Sequence, residues 1–212
     1  MNRLDVYTAV HKMQRSRLFE LTVAAGRTDS IDTVATTRLA GAVRALSDEL
    51  TSHAEHEDRF IHPLLRIKVP ELAAALDATH VELDGHLDDL KETARTQAAG
   101  GKDPNALYRA LASFTASYLE HLAVEEGEAL PAPWGHCGDD ELFGIMTSFR
   151  ASLSPLEYLT SLVAQLPSAN PAEAAHLVSV GIDPVQFSSL AQLLATALDP
   201  DQLGALEAPL SV

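Results

Sequence analysis

The chain has 212 residues, 15 Lys plus Arg against 30 Asp plus Glu, a formal charge of -15, 46% apolar residues and a single cysteine. Such acidity repels phosphate backbones and anionic headgroups, so neither nucleic acid nor a membrane surface is expected as a partner. One cysteine, Cys137, cannot form a disulfide within the chain, no uncharged apolar run of about 18 residues occurs, and the opening MNRLDVYTAVHKMQ does not resemble an export signal; a cytoplasmic location is expected.

Apolar residues recur at three-and-four spacing, strand-like alternation is missing, and the breaks are short and rich in Gly, Pro and Asp, which predicts an all-α fold. The first helix is expected over 4–25, ending at Gly26 before RTDSID, where Asp29, Ser30 and Asp32 are N-cap candidates. A second is expected over 33–67, giving way at Val69 and Pro70, and a third over 71–98, stopping at Gly100 and Gly101. Asp103 and Pro104 open the fourth, which runs to about residue 130 before Pro131 and Pro133. Four long helices with short connections imply an up-down-up-down four-helix bundle over 1–134. Beyond the loop APWGHCGDD the helical pieces are short and punctuated by Pro155, Pro167, Pro171, Pro184, Pro200 and Pro209. Residues 135–212 are therefore expected to form a C-terminal helical appendage, apolar enough to dock on the bundle.

Nine histidines in so acidic a chain ask for an explanation, and the inward seams of the four long helices supply one. The second helix reads Leu39, Val43, Leu46, Leu50, His53, Glu57, Phe60, Leu64, and the fourth reads Leu107, Leu111, Phe114, Tyr118, His121, Glu125. The third gives Leu76, His80, Leu83, Leu87, Leu90, and the first gives Leu4, Tyr7, His11, Gln14, Leu18, Leu21. Each seam carries one histidine, and two add a glutamate one turn later. Burying an ionised carboxylate costs several kcal/mol or more unless a charge or metal compensates it. His11, Glu57, His80 and His121, one on each helix, lie about eight to ten residues from the same end of the bundle, roughly 12 to 15 Å at the helical rise, so the four histidines and two glutamates can converge. Imidazole and carboxylate suit Fe, Mn or Zn, and six such donors are too many for one catalytic zinc and enough for two metals. The two Glu-x-x-His motifs of the ferritin-like carboxylate proteins are not present within the bundle, and neither is His-Glu-x-x-His of the zinc proteases.

On these residues the chain resembles the hemerythrin-like (HHE cation-binding) family. The matching pieces are VHKMQRSRLFEL around His11, HAEHEDRFIHPLL from His53, ATHVELDGHL around His80 and YLEHLAVEEGEALPAPW from Tyr118. The His-x-x-x-Glu units, each trailed by an apolar residue and Pro, are the most specific part. The resemblance covers about residues 5–134, and the continuation looks like the extension seen in many bacterial members. It implies a non-haem site of two Fe per chain, oxo- or hydroxo-bridged, that binds O2, NO or peroxide, with His11, His53, Glu57, His80, His121 and Glu125 as ligands. A homodimer is compatible with it. Oxygen-carrying members place a second histidine one turn after the first on the third helix, where this chain has Asp84. Whether Asp84 coordinates or leaves a position open, the change favours a sensor, a scavenger or iron and oxygen handling over reversible O2 carriage. The alternatives are a diiron oxidase or peroxidase acting on a small organic substrate, and a metal that only knits the bundle.

The other candidates carry plainer readings. His56 and His62 fall off the seam and are expected in solvated or helix-end roles, with His56 able to orient Glu57. His86 is expected to be exposed, and the His136–Cys137 pair incidental; His176 is left unassigned. Tyr7 and Tyr118 are expected to pack with bonded hydroxyls, Gln14 to bond a ligand or a water, and Glu126 to be able to replace Glu125 after a small helix rotation.

Overall fold

The computed structural model describes residues 5–181. Among them all regular structure is helical. Four long helices dominate: α1 Thr8–Arg27, α2 Thr33–Phe60, α4 Pro70–Ala98 and α5 Ala106–Val124, with the short α3 His62–Lys68 between α2 and α4. Asp32 caps α2 through a side-chain oxygen that accepts from the N–H groups of Val34 and Ala35 at 3.0 and 2.9 Å. Pro70 begins α4, where its missing N–H costs nothing. Beyond α5 come a π-helical turn, Glu125–Ala129, and α6 Pro131–Trp134, then α7 Asp139–Ser152, α8 Pro155–Gln165 and α9 Pro171–Gly181. No helix among the described residues is long and apolar enough to cross a membrane.

The first helix runs from Thr8 to Arg27 instead of over 4–25, and two further elements differ from the sequence expectation with a proline behind each difference. The helix expected over 33–67 breaks at Ile61, because Pro63 has no N–H to offer the Arg59 carbonyl and its ring crowds that carbonyl. The helix expected to reach residue 130 stops being α-helical at Glu125: the Leu130 N–H donates to the Glu125 carbonyl at 2.7 Å, five residues back instead of four. This widened turn lies just before Pro131, which could not have continued an ordinary ladder.

The described residues form two compact units, one of Asp5 and residues 14–145, the other of residues 6–13 and 146–181. In the first, Leu18 and Ala25 of α1, Leu39, Val43, Leu46 and Leu50 of α2, Leu83, Leu87, Leu90 and Ala94 of α4, and Leu107, Leu111, Phe114 and Leu122 of α5 build one apolar cluster. The three-and-four spacing of these residues places them on one face of each helix. In the second unit, Leu162, Val163, Leu166, Ala169, Ala174 and Val178 build a smaller one. Ser154 and Glu157 cap α8 reciprocally, and Lys12 pairs with both Glu173 oxygens at 2.6 and 2.7 Å.

Candidate metal centre

Next to the apolar cluster the first unit buries acids and imidazoles. Glu57 and Glu125 are 2% and 0% exposed, and His80 and His121 are buried beside them. Each carboxylate meets the histidine one turn earlier on its own strand of helix: His53 Nε2 lies 3.0 Å from Glu57 Oε1, and His121 Nε2 lies 3.0 Å from Glu125 Oε1. From α4, His80 Nε2 faces both acids, 3.5 Å from Glu57 Oε2 and 3.5 Å from Glu125 Oε1. One ligand atom each of Glu57, His80, His121 and Glu125 falls within 4.8 Å of the others, and the same holds for His53, Glu57 and Glu125. The two carboxylates belong to both groups. His11 is fully buried on α1, one turn before Gln14, with its ring 5.3 Å from that of Tyr7.

The electrostatics are those of a site that holds positive charge. Burial works against protonation of His80, yet Glu125, Glu57 and Asp58 outweigh it and hold its pKa up to about 10. For His53, burial is likewise outweighed, chiefly by Glu57 and then by Glu125. Burial pushes the Tyr118 hydroxyl well above its ordinary value, and the two glutamates add to the effect. The Nε2 atoms of His80 and His121 stand 3.2 Å apart. Two imidazole lone pairs at that distance repel unless a proton or a cation lies between them. Hard carboxylates combined with imidazoles, and no thiolate in either group, form a donor set that fits Fe, Mn or Zn. The residues present therefore fit a bound transition-metal cation.

The remaining candidates resolve one by one. Asp84 is exposed and accepts a hydrogen bond from Thr51 Oγ1 at 3.3 Å, and it belongs to neither donor group. It lines, with Leu50, Ala54, Leu83 and Leu87, a small cavity that reaches His53, Glu57, His80 and His121 and has room for about one water-sized molecule. Glu126, the neighbour of Glu125, turns instead to Arg15 of α1, which reaches its two oxygens at 2.6 and 3.0 Å. Gln14 bonds neither a histidine nor a glutamate of the site: its Oε1 accepts from the Tyr118 hydroxyl at 3.2 Å. His56 is partly buried, while His86, His136 and His176 are exposed.

His62 is the correction. Expected in a solvated or helix-end role, it does begin α3, but its side chain is wholly buried. Its Nδ1 lies 2.9 Å from Asp58 and 2.7 Å from Asp77, and its ring stacks on that of His80 at 5.1 Å. Asp77 is also held by Arg66, and although burial opposes it, the His62 and Arg66 contacts keep its carboxyl below the usual range. The seam reading missed His62 because it carried α2 straight through Ile61; Pro63 was the signal that the helix ends there.

Comparison with known proteins adds one finding to this geometry. Searches of curated proteins and of solved structures each return no match. The sequence model of the hemerythrin HHE cation binding domain, however, matches residues 2–132, a span that contains every buried histidine and glutamate just described, and the chain therefore belongs to that family.

Proposed function

We propose that this protein holds two iron ions on an up-down-up-down four-helix bundle and uses them to bind O2, NO or peroxide as a sensor or scavenger. One observation carries the dinuclear reading: Glu57 and Glu125 are common to both donor groups, so each carboxylate can offer one oxygen to either side. In this reading His80 and His121 are the terminal ligands of one ion. His53 serves the other, and the family resemblance adds His11 to it. Bound iron would supply an open coordination position and one-electron redox chemistry.

The chain's own residues supply access, shape and charge. Leu50, Leu83 and Leu87 present apolar walls to anything entering the cavity, whose size suits a diatomic better than an organic substrate. Tyr118 is locked by its hydrogen bond to Gln14, which holds its ring against His121 at 5.9 Å. Asp84, in place of a further imidazole, leaves the His80 side with one nitrogen donor fewer than an oxygen carrier has.

Anaerobic reconstitution should load about two Fe per chain, since two shared carboxylates and four imidazoles suit two ions. Saturation at a single ion would overturn the dinuclear reading. Mixing the reduced protein with O2, then degassing, distinguishes the roles: oxidation in air fits a sensor or scavenger, and intact release of O2 would return the protein to the carriers.

A further inference from the structure

We propose that Asp58 and His62 are positioning residues of the metal centre: together they hold the His80 imidazole with its Nδ1–H turned away from the site and its Nε2 lone pair turned toward Glu57 and Glu125. This rests on the reading of His80 as a ligand. Asp58 Oδ1 lies 3.0 Å from His80 Nδ1 and 2.9 Å from His62 Nδ1. An ionised carboxylate can only accept, so each ring nitrogen facing it donates. A neutral His80 that donates from Nδ1 has its free lone pair on Nε2, the atom that faces both glutamates.

The arrangement is braced from behind. His62 Nδ1 also reaches Asp77 Oδ1 at 2.7 Å, and Asp77 is gripped by Arg66 at 2.9 and 3.2 Å. The His62 ring lies nearly parallel to that of His80, 11° off, and blocks its rotation. The break at Ile61 makes this geometry available, because it lets α3 start with His62 between Asp58 of α2 and Asp77 of α4. His121, the other imidazole of the same donor group, has no such support: its Nδ1 is buried with no hydrogen-bond partner among the described residues. The two histidines are thus held differently, and the one with the carboxylate behind it is the more basic donor. A more basic ligand binds the cation more tightly and favours the higher oxidation state.

The test uses the full chain and four variants, Asp58→Ala, Asp58→Asn, His62→Ala and His80→Ala. Three readouts apply: Fe(II) affinity by chelator competition, the midpoint potential of the iron-loaded protein, and the ring nitrogen signals of His80 and His121 in the zinc-loaded protein. Asp58→Ala should weaken Fe(II) binding about 10- to 100-fold, raise the midpoint potential and remove the slowly exchanging Nδ1–H signal of His80 while leaving His121 unchanged. Asp58→Asn, nearly isosteric and still able to accept, should shift affinity and potential in the same direction by less, and it carries the test if the alanine variant does not fold. Unchanged affinity and potential in both Asp58 variants, with metal lost from His80→Ala, would overturn the positioning role alone. Full metal content in His80→Ala would overturn the ligand reading beneath it. Asp58, His62 and His80 also offer three ligand atoms within 4.8 Å of one another. Loss of one whole ion from His62→Ala, with the rest bound as before, would make them a metal site in their own right and overturn the proposal.

Discussion

The first unit contains two kinds of core, and the same four long helices contribute to it. Around Val43, Leu87, Leu90 and Leu111 the interior is built mainly of apolar side chains, and the helices are held by burial and close packing. A few turns along, the same faces present His53, Glu57, His80, His121 and Glu125. Apolar packing needs nothing from outside. The polar layer sets carboxylates and imidazoles in low dielectric and becomes favourable only with positive charge, whether protons or a metal. Stability thus resides in the first region, and the second uses some of it to keep donors in place for a cation.

The largest expected effect breaks the apolar region. Leu111 is fully buried, and Leu111→Ala should cost about 2–5 kcal/mol in lost transfer free energy and cavity formation. Denaturant melts should return the same loss with metal and with chelator, and the folded protein should keep its metal content. A loss that depended on metal would mean that the two regions are not separate in energy.

How much of this contrast could be read from the sequence follows from what periodicity can see. A buried stripe repeats every three to four residues, so both the leucines and the histidines that interrupt them fall on lines that can be drawn without a structure. Breaks in the helix are harder. His62 left its expected place because α2 stops at Ile61, and no spacing marks Asp58 and Asp77, because it is α3 that gives them a common partner. The choice between Glu125 and Glu126 was open for a similar reason. The two are adjacent, and the outcome depends on a π-helical turn and on Arg15 of another helix drawing Glu126 outward. No spacing rule within one segment encodes either.

A smaller effect sharpens the comparison through pH. His80 has a pKa of about 10 in the fold against an ordinary 6.5, and His53 is raised as well. A group whose pKa is higher folded than unfolded contributes stability that is complete below about pH 6.5 and is lost as pH rises through the folded value. The chelated protein should therefore lose the His80 contribution between about pH 6.5 and 10, and the His53 contribution as the pH rises above 6.5. A metal ligand must shed its proton to bind, so the metal-loaded protein should gain stability over the same rise. Melting curves across that range, with and without chelator, should diverge; parallel curves would show that the imidazoles and the cation do not compete for the same lone pairs.

The smallest expected effect probes the border between the polar layer and solvent. Asp84 lines the cavity beside the histidines and is itself exposed, so its charge acts on any anion that approaches through that cavity. A single charge several ångströms away in a largely aqueous mouth alters an anion's local concentration by about two- to five-fold at low salt, and screening removes most of that at high salt. Asp84→Asn should therefore speed azide association with the iron-loaded protein by about that factor in dilute buffer. The gain should fade as salt is added, and the metal content should stay the same, because Asp84 belongs to neither donor group. Stopped-flow mixing at two ionic strengths separates the outcomes. A rate gain that salt does not diminish would point to the hydrogen bond from Thr51 as a steric latch on the cavity, and a loss of iron would make Asp84 a ligand after all.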